Sequence, residues 1–250
     1  MKNKQMESPV EGKSFEVYAD NYDQILDQNL KIFTNDTSKF THYKVEYLLS
    51  KQISPTRILD FGCGNGRATR FLKQAFPKAE LWGCDVSEKI VHAAKKNFPD
   101  AKFFFITKPE DLGIYEEMFD LIFISCVVHH IIPKERLCWV KSLANSLSFG
   151  GKISIFEHNP YNPLTRYCVA GCEFDTDTVL LSIGECKKLF ATELTHVSSQ
   201  YTLFFPWRTR FFQSIERLLT WLPLGGQYCI ILEKNASDKR DLEILNSVLE

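Results

Sequence analysis

The sequence predicts an α/β protein in which a mostly parallel sheet carries helices on both faces. Between residues 57 and 158, apolar segments of strand length alternate with segments whose apolar residues recur at helical spacing. A glycine-rich turn, DFGCGNG at residues 60–66, joins the first of these strands to the first helix. Such a turn brings bare backbone at a strand end against a nucleotide-like ligand, so the same pattern predicts a binding site.

Five strands and three helices are expected in this region. The predicted strands are residues 57–61, 80–84, 101–106, 119–128 and 152–158. The predicted helices are residues 66–76, 88–97 and 134–147. Ser87 suits the N-cap of the second helix, Pro133 suits the first position of the third, and Gly150-Gly151 marks the end of the third.

The flanking segments complete the predicted organisation. Helical spacing of aromatic and aliphatic residues predicts two helices within 14–53, the second ended by Pro55. After the fifth strand we expect a long loop or an insertion at 159–181, a helix at 182–192, a strand at 196–205, a helix at 208–222 and a strand at 227–233. Residues 1–13 are expected to form a flexible tail, and 236–250 a C-terminal tail for which a helix is one option.

Composition and charge narrow the function classes. The net charge of −1 offers no basic excess for a phosphate backbone, so no nucleic-acid partner is expected. The eight cysteines are scattered without a C-x-x-C pair, which is typical of free thiols in a reducing compartment. No apolar leader and no run near the roughly 18 apolar residues of a membrane span is visible, so a cytoplasmic location is expected. The oligomeric state is not predicted.

The spacing of the glycines distinguishes between ligands. Gly62, Gly64 and Gly66 occupy alternate positions, whereas the dinucleotide fingerprint G-x-G-x-x-G has its third glycine three residues after the second. The pattern D-x-G-x-G-x-G resembles motif I of the class I S-adenosylmethionine-dependent methyltransferases. The resemblance implies a Rossmann-like sheet of seven strands with an antiparallel last strand, S-adenosylmethionine as cofactor, and methyl transfer. An NAD-type oxidoreductase and a noncatalytic S-adenosylmethionine-binding module remain the alternatives.

The resemblance also implies which residues bind the cofactor. Asp60 and the glycine turn would face the methionine end, and Asp85, which ends the second strand, would accept the ribose hydroxyls. FDLIFISCVVHHI, residues 119–131, resembles motif IV, in which Ser125 lies beneath the methionine moiety. YADNYD, residues 18–23, resembles the covering helix, with Tyr18 or Tyr22 as the lid residue. The predicted cofactor-binding residues are Tyr22, Asp60, Gly62, Cys63, Gly64, Gly66, Asp85, Val86 and Ser125.

The catalytic residue is harder to predict, because a sulfonium methyl is already activated and the enzyme chiefly aligns the acceptor and excludes water. A base is needed where the acceptor must lose a proton. His130 is the first choice, with Glu157 and His158 as the other candidates. The alternative for the His129-His130 pair is that one caps the next helix and the other packs on the sheet. No metal is expected, because His158 with Cys168 and Cys172 does not show a zinc spacing.

Two further segments bear on the acceptor. EHNPYNPLTR at 157–166 and PLGGQY at 223–228 resemble a bacterial subgroup of these methyltransferases, whose relatives often accompany glycan- or lipid-modifying enzymes. The resemblance implies a small-molecule or lipid/glycan-precursor acceptor. The aromatic helix at 208–222 is expected to face the core, and contact with a membrane surface or cover over an apolar substrate is the alternative. We expect a single methyltransferase domain over 14–235, with the lid at 14–53, the cofactor-binding core at 57–158 and the substrate side at 159–235.

Overall fold

The structure, a computed structural model, describes residues 36–175, 177–205 and 210–235. The strands are β1 Arg57–Phe61, β2 Glu80–Asp85, β3 Lys102–Phe105, β4 Phe119–Ser125, β5 Leu147–His158, β6 Thr195–Thr202 and β7 Gln227–Glu233. The helices are α1 Ser38–Ser50, α2 Arg67–Ala75, α3 Glu88–Asn97, α4 Arg136–Ser146, α5 Pro163–Ala170, α6 Ile183–Phe190 and α7 Arg210–Leu219. Short 3₁₀ helices cover Pro109–Tyr115, Val128–His130 and Glu173–Asp175.

The seven strands form one sheet in the order β3-β2-β1-β4-β5-β7-β6. Strands β1 to β5 pair in parallel, whereas β7 lies antiparallel between β5 and β6. This confirms the predicted Rossmann-like α/β fold with a mostly parallel sheet and an antiparallel last strand. Because β1, β4 and β5 are adjacent and parallel, their carboxyl ends meet at one edge of the sheet.

Successive residues of each strand point to opposite faces of the sheet, and helices cover both faces. On one face Leu59 of β1 packs in a cluster with Trp139 of α4. On the other face Ile58 packs with Leu48 of α1 and Leu72 of α2. Each of these four aliphatic side chains is fully buried. Strand β1 is therefore covered by helices on both sides, which explains why the adjacent residues Ile58 and Leu59 are both apolar.

Strand β4 is shorter than the predicted 119–128. It ends at Ser125, and Cys126 adopts a positive φ of 58° that turns the chain out of the sheet. The backbone N–H groups of Val127 and Val128 then donate to Glu157 Oε1 at 2.8 and 2.7 Å. A buried carboxylate of β5 thus ends the ladder and begins the 3₁₀ helix that carries both histidines.

The boundary between α4 and β5 also differs from the prediction. Helix α4 begins at Arg136, so Pro133 is not its first residue. It ends at Ser146, because Leu147 already pairs with Phe119 of β4. The Gly150-Gly151 pair therefore lies inside β5 rather than at the helix end.

The prediction of a long loop over 159–181 is wrong, because α5 and a 3₁₀ helix lie within it. Asn162 caps α5, since its Oδ1 accepts from Leu164 N and Thr165 N, both at 2.9 Å. Pro163 occupies the first helical position, where its missing N–H costs nothing. The second Asn-Pro pair is therefore a helix start.

Several predictions fall outside the described residues: the flexible tail 1–13, the first N-terminal helix with Tyr22, and the C-terminal tail 236–250. The second N-terminal helix corresponds to α1. The domain bounds stay a prediction. Across the described part of the chain, no helix combines the length and apolar character needed to cross a membrane.

Candidate active site

A cavity of about 290 Å³ opens at the sheet edge where β1, β4 and β5 end. The residues of the glycine turn and α1 line one side. The 3₁₀ helix after β4, helix α5 and the segment 203–205 line the other. The cavity therefore joins the predicted cofactor loop to the segments that the sequence assigned to the lid and the substrate side.

Five of the predicted site residues line this cavity: Asp60, Gly62, Cys63, Ser125 and His130. Four others lie outside its lining: Gly64, Gly66, Asp85 and Val86. Tyr22 lies outside the described residues. The lining thus brings together the predicted residues of the methionine end and the predicted base.

The glycine turn is fixed by the neighbouring strand. The N–H groups of Gly62 and Cys63 both donate to Cys84 O at 2.9 Å, and Gly64 N donates to Asp85 Oδ2 at 2.9 Å. Gly62 has a φ of 70°, a conformation that side chains other than glycine rarely adopt. Asp85 also accepts from Ser87 N at 3.2 Å, so its carboxylate positions the turn. Ribose binding by Asp85 stays a prediction.

The methionine end of the cavity combines one acid with two basic side chains. Asp60 is 2% exposed and accepts from Thr69 Oγ1 at 2.8 Å. Burial raises the pKa of Asp60 to about 7, although the Thr69 hydrogen bond opposes the shift. Lys44 Nζ donates to Ser125 Oγ at 2.8 Å, and Arg67 lies on the same lining. One acid and two basic side chains on the same lining have the charges that would complement the ammonium and carboxylate groups of an amino acid, such as the methionine moiety of S-adenosylmethionine.

Lys44 and Arg67 were not predicted from the sequence. Lys44 reaches Ser125 across 81 residues of chain, and Arg67 Nη1 donates to Thr37 Oγ1 at 2.7 Å across 30. No spacing rule links residues so far apart. A lysine inside an otherwise apolar helical face was the only available signal for Lys44, which is 5% exposed.

His129 lies between two carboxylates. Its Nδ1 is 2.6 Å from Glu157 Oε2 and its Nε2 is 3.2 Å from Asp175 Oδ1. Burial alone would lower the pKa of His129, but the two carboxylates outweigh it and raise the pKa to about 10. Burial alone would raise the pKa of Glu157, but His129 outweighs it and lowers the pKa to about 2. Glu157 is 1% exposed, so it holds His129 and the backbone rather than facing the cavity.

His130 stands on the cavity wall. Its Nε2 lies 3.3 Å from Asp175 Oδ1, and its side chain is 20% exposed. Burial and the neighbouring charge of His129 lower the pKa of His130 to about 3. Neither histidine caps α4, whose N-cap is Glu135. The capping alternative is therefore wrong.

Cys126 and His158 form a second polar pair on the same wall. Burial would raise the pKa of the Cys126 thiol, but His158 and Lys44 outweigh it and lower the pKa to about 6. Burial would lower the pKa of His158, but Cys126 raises it. Gln227 Nε2 donates to Cys126 Sγ at 3.2 Å. Gln227 Oε1 is buried and has no hydrogen-bond partner among the described residues.

Apolar side chains close the rest of the cavity. Those on its lining include Phe40, Leu164, Phe174, Phe204 and Phe205. They come from α1, α5 and two later segments, all outside the β1–β5 core. The lining thus combines polar side chains from the sheet edge with apolar side chains from outside the β1–β5 core.

Comparison with known proteins identifies the chemistry. Residues 59–153 match the model of a methyltransferase domain family. A malonyl-[acyl-carrier protein] O-methyltransferase of Anoxybacillus flavithermus is 25% identical, over 92% of this chain and 86% of that protein. A demethylmenaquinone methyltransferase of Thermotoga maritima is 29% identical, over 59% of this chain and 61% of that protein.

Solved structures show the same fold. A SAM-dependent methyltransferase from Archaeoglobus fulgidus superposes with a TM-score of 0.65, at 15% identity, over 86% of this chain and all of that one. A possible histamine N-methyltransferase from Thermotoga maritima gives a TM-score of 0.63, at 16% identity, over 89% of this chain and 99% of that one.

The matched segment contains the glycine turn, Asp85 and the strand that ends at Ser125. These matches favour methyl transfer over the NAD-type oxidoreductase and over a module without activity. Together with the seven-stranded sheet, they identify this chain as an S-adenosylmethionine-dependent methyltransferase with a Rossmann-like fold.

Proposed function

We propose that this enzyme methylates a hydroxyl oxygen of a small acceptor with an apolar body, such as a lipid or glycan precursor. The observation that carries the proposal is the single cavity in which Asp60 and Ser125 share a lining with His130 and a set of apolar side chains. When bound, S-adenosylmethionine supplies an activated methyl group. The residues of this chain have to position the acceptor and exclude water.

An oxygen acceptor is supported by a relative that aligns over 92% of this chain and is described as an O-methyltransferase. A separate observation bears on whether that oxygen belongs to a hydroxyl or a carboxylate. Gln227 Oε1 is a buried acceptor atom without a donor among the described residues, and such an atom costs about 1–3 kcal/mol while it stays unpaired. A hydroxyl can donate to it, whereas a carboxylate cannot. We therefore favour a hydroxyl over a carboxylate.

His130 is the proposed general base. Its ring lies on the cavity wall, and contact with Asp175 orients it. The proton of the acceptor hydroxyl would pass to a ring nitrogen of His130 as the oxygen forms its bond to the methyl carbon. His129 is held by Glu157 and Asp175 and is 1% exposed, so it is the poorer choice.

The apolar lining supports the acceptor class. Phe40, Leu164 and Phe174 can cover an apolar body and keep water from the polar end. The resemblance of residues 157–166 and 223–228 to a subgroup that accompanies lipid- or glycan-modifying enzymes points the same way.

The test is a search for the methylated product. The purified enzyme is incubated with S-adenosylmethionine carrying an isotope-labelled methyl group and with apolar and aqueous bacterial extracts. Labelled products are found by mass spectrometry. We expect label in the apolar extract as a methyl ether, which survives alkaline hydrolysis. Label only in alkali-labile methyl esters, or on nitrogen or sulfur, would contradict the proposal.

The role of His130 is tested on that product. His130→Ala is expected to lower kcat by about 100-fold or more, the usual contribution of a positioned base. Binding of S-adenosylhomocysteine should stay unchanged. His92→Ala is the matched control, because His92 is an exposed residue of α3 outside the cavity lining. Full turnover by His130→Ala would remove it as the base.

A further inference from the structure

Three separate chain segments bring two histidines and one aspartate together at the cavity wall. His129 follows β4, His158 ends β5, and Asp175 lies in the 3₁₀ helix after α5. One ligand atom from each of these residues lies within 4.8 Å of the others. All three residues line the cavity. Two imidazoles and one carboxylate around an accessible space are a donor set that binds divalent transition metals.

The hydrogen bonds behind His129 orient it as a ligand. Glu157 Oε2 accepts from the Nδ1 side of the ring at 2.6 Å, which leaves Nε2 to face Asp175 Oδ1 at 3.2 Å. The other oxygen of Glu157 accepts from the N–H groups of Val127 and Val128. A carboxylate that fixes the second nitrogen of a histidine in this way is the usual support of a metal-bound imidazole.

The spacing suits a small ion. Bonds of about 2.0–2.1 Å place the donors of a tetrahedral site about 3.3 Å apart. The His129–Asp175 pair already has this separation. All three donor atoms lie within 4.8 Å of one another, so a tetrahedral ion requires the more distant pairs to approach by at most about 1.5 Å.

The histidine rings crowd one part of the cavity wall. The ring centroids of His130 and His158 lie 4.1 and 5.2 Å from that of His129. Asp175 Oδ1 lies 3.2 Å from His129 Nε2 and 3.3 Å from His130 Nε2. A divalent ion bound between His129, His158 and Asp175 would compensate the Asp175 carboxylate and would replace the proton at His129 Nε2.

We propose that His129, His158 and Asp175 bind one divalent transition-metal ion, with zinc as the best fit, and that its remaining coordination position faces the cavity. The prediction of no metal considered His158 with Cys168 and Cys172, and neither His129 nor Asp175 entered it. The proposal does not depend on the acceptor, because metal binding is measured without one.

The experiment is a metal titration of the full chain. After treatment with a chelator, the protein is titrated with Zn²⁺ by calorimetry, and bound metal is counted by elemental analysis after dialysis. Co²⁺ is then bound in place of Zn²⁺, because its absorption spectrum distinguishes nitrogen and oxygen ligands from thiolates. This distinction is needed in a protein with eight cysteines. We expect one tightly bound Zn²⁺ ion per chain. We also expect a Co²⁺ absorption spectrum without the charge-transfer bands of a thiolate ligand.

Two variants of partly exposed residues keep the test decisive if His129→Ala does not fold. Asp175→Asn and His158→Ala are each expected to weaken Zn²⁺ binding by at least about 10-fold. Asp177→Asn and Cys138→Ser, at exposed positions, are the matched controls and should bind as the parent does. Circular dichroism and binding of S-adenosylhomocysteine report whether each variant is folded.

Three outcomes would overturn the proposal. The first is that the parent protein binds no Zn²⁺ ion tightly. The second is that Asp175→Asn and His158→Ala both bind Zn²⁺ as tightly as the parent does. The third is a Co²⁺ spectrum dominated by thiolate charge-transfer bands. Failure to find a methyl ether would refute the proposed function and leave the metal site intact. Loss of metal binding would not change which product carries the label.

Discussion

Asp60 ends β1 as a buried carboxylate whose described hydrogen-bond donor is Thr69. A buried carboxylate with one neutral donor is costly in its charged form, which explains its raised pKa. A bound ammonium group would stabilise the charged form. The charged form of Asp60 therefore destabilises the ligand-free protein, and a bound ammonium group would offset that destabilisation.

This cost predicts a pH dependence of stability in the cofactor-free protein. The pKa of Asp60 rises from 3.8 to about 7 on folding, so its contribution is complete below pH 3.8 and is lost as the pH rises through 7. Relative to Asp60→Asn, the parent protein should lose stability over this interval, by at most ~1.4 kcal/mol per pH unit. Urea unfolding at a series of pH values measures the difference.

A second aspartate provides the control with the opposite sign. Asp120 Oδ2 accepts from Thr56 N and Arg57 N, and these bonds outweigh burial and lower its pKa below 3.8. Its contribution is present above pH 3.8 and is lost only as the pH falls through its folded pKa. The difference from Asp120→Asn should therefore stay constant from pH 5 to 7. A constant difference for Asp60→Asn as well would contradict the role of burial.

At the scale of elements, the junction between β1 and α2 depends on packing as well as on backbone conformation. A Cβ on Gly62 would lie 2.4 Å from Val127 Cγ2, the residue that follows the β4 turn. The glycine turn therefore packs directly against the turn that positions the histidines. The absence of a side chain at Gly62 therefore allows the glycine turn to pack against the turn that follows β4.

A glycine series separates these effects. Gly150→Ala meets no atom within 4 Å but has a φ of 77°, so it should cost about 1–2 kcal/mol of unfolding free energy through backbone strain alone. Gly62→Ala has both the positive φ and the contact with Val127, so it should cost more. Chemical denaturation measures both. Gly113→Ala, with neither feature, should be close to neutral. Equal costs for Gly62→Ala and Gly150→Ala would show that Val127 yields freely.

At the scale of the molecule, the sheet edge gathers the cofactor end, the histidine cluster and the apolar wall in one cavity. A ligand that binds only the folded state stabilises all of the structure that forms this cavity. The free energy of unfolding, measured with each ligand, should therefore show whether S-adenosylmethionine or NAD is the cofactor.

S-adenosylmethionine at 100 times its Kd should add about 2.7 kcal/mol to the free energy of unfolding. For a chain of this size, that gain raises Tm by about 5–10 °C. NAD at the same concentration should leave Tm unchanged, because the third glycine stands at 66, one residue early for a dinucleotide. Thermal unfolding with each ligand measures both shifts. Stabilisation by NAD instead would contradict the cofactor assignment.

The sequence by itself determined the succession of strands and helices along the chain, the glycine turn and the class of cofactor. These features are local, since a strand, a turn or a cap such as Ser87 is encoded by neighbouring residues. Its errors arose where a distant residue decides the local structure. It missed the early end of β4 because that end depends on Glu157, about thirty residues away.

Only the tertiary structure decided the composition of the cavity. Lys44 reaches Ser125 over 81 residues of chain, and His129 reaches Asp175 over 46. No periodicity or spacing encodes such pairs, because they exist only once parallel strands have brought their carboxyl ends to one edge and α1 and α5 have packed over it. For that reason the sequence could indicate the methyl donor, whereas the proposed acceptor pocket and the proposed metal site became visible only in the fold.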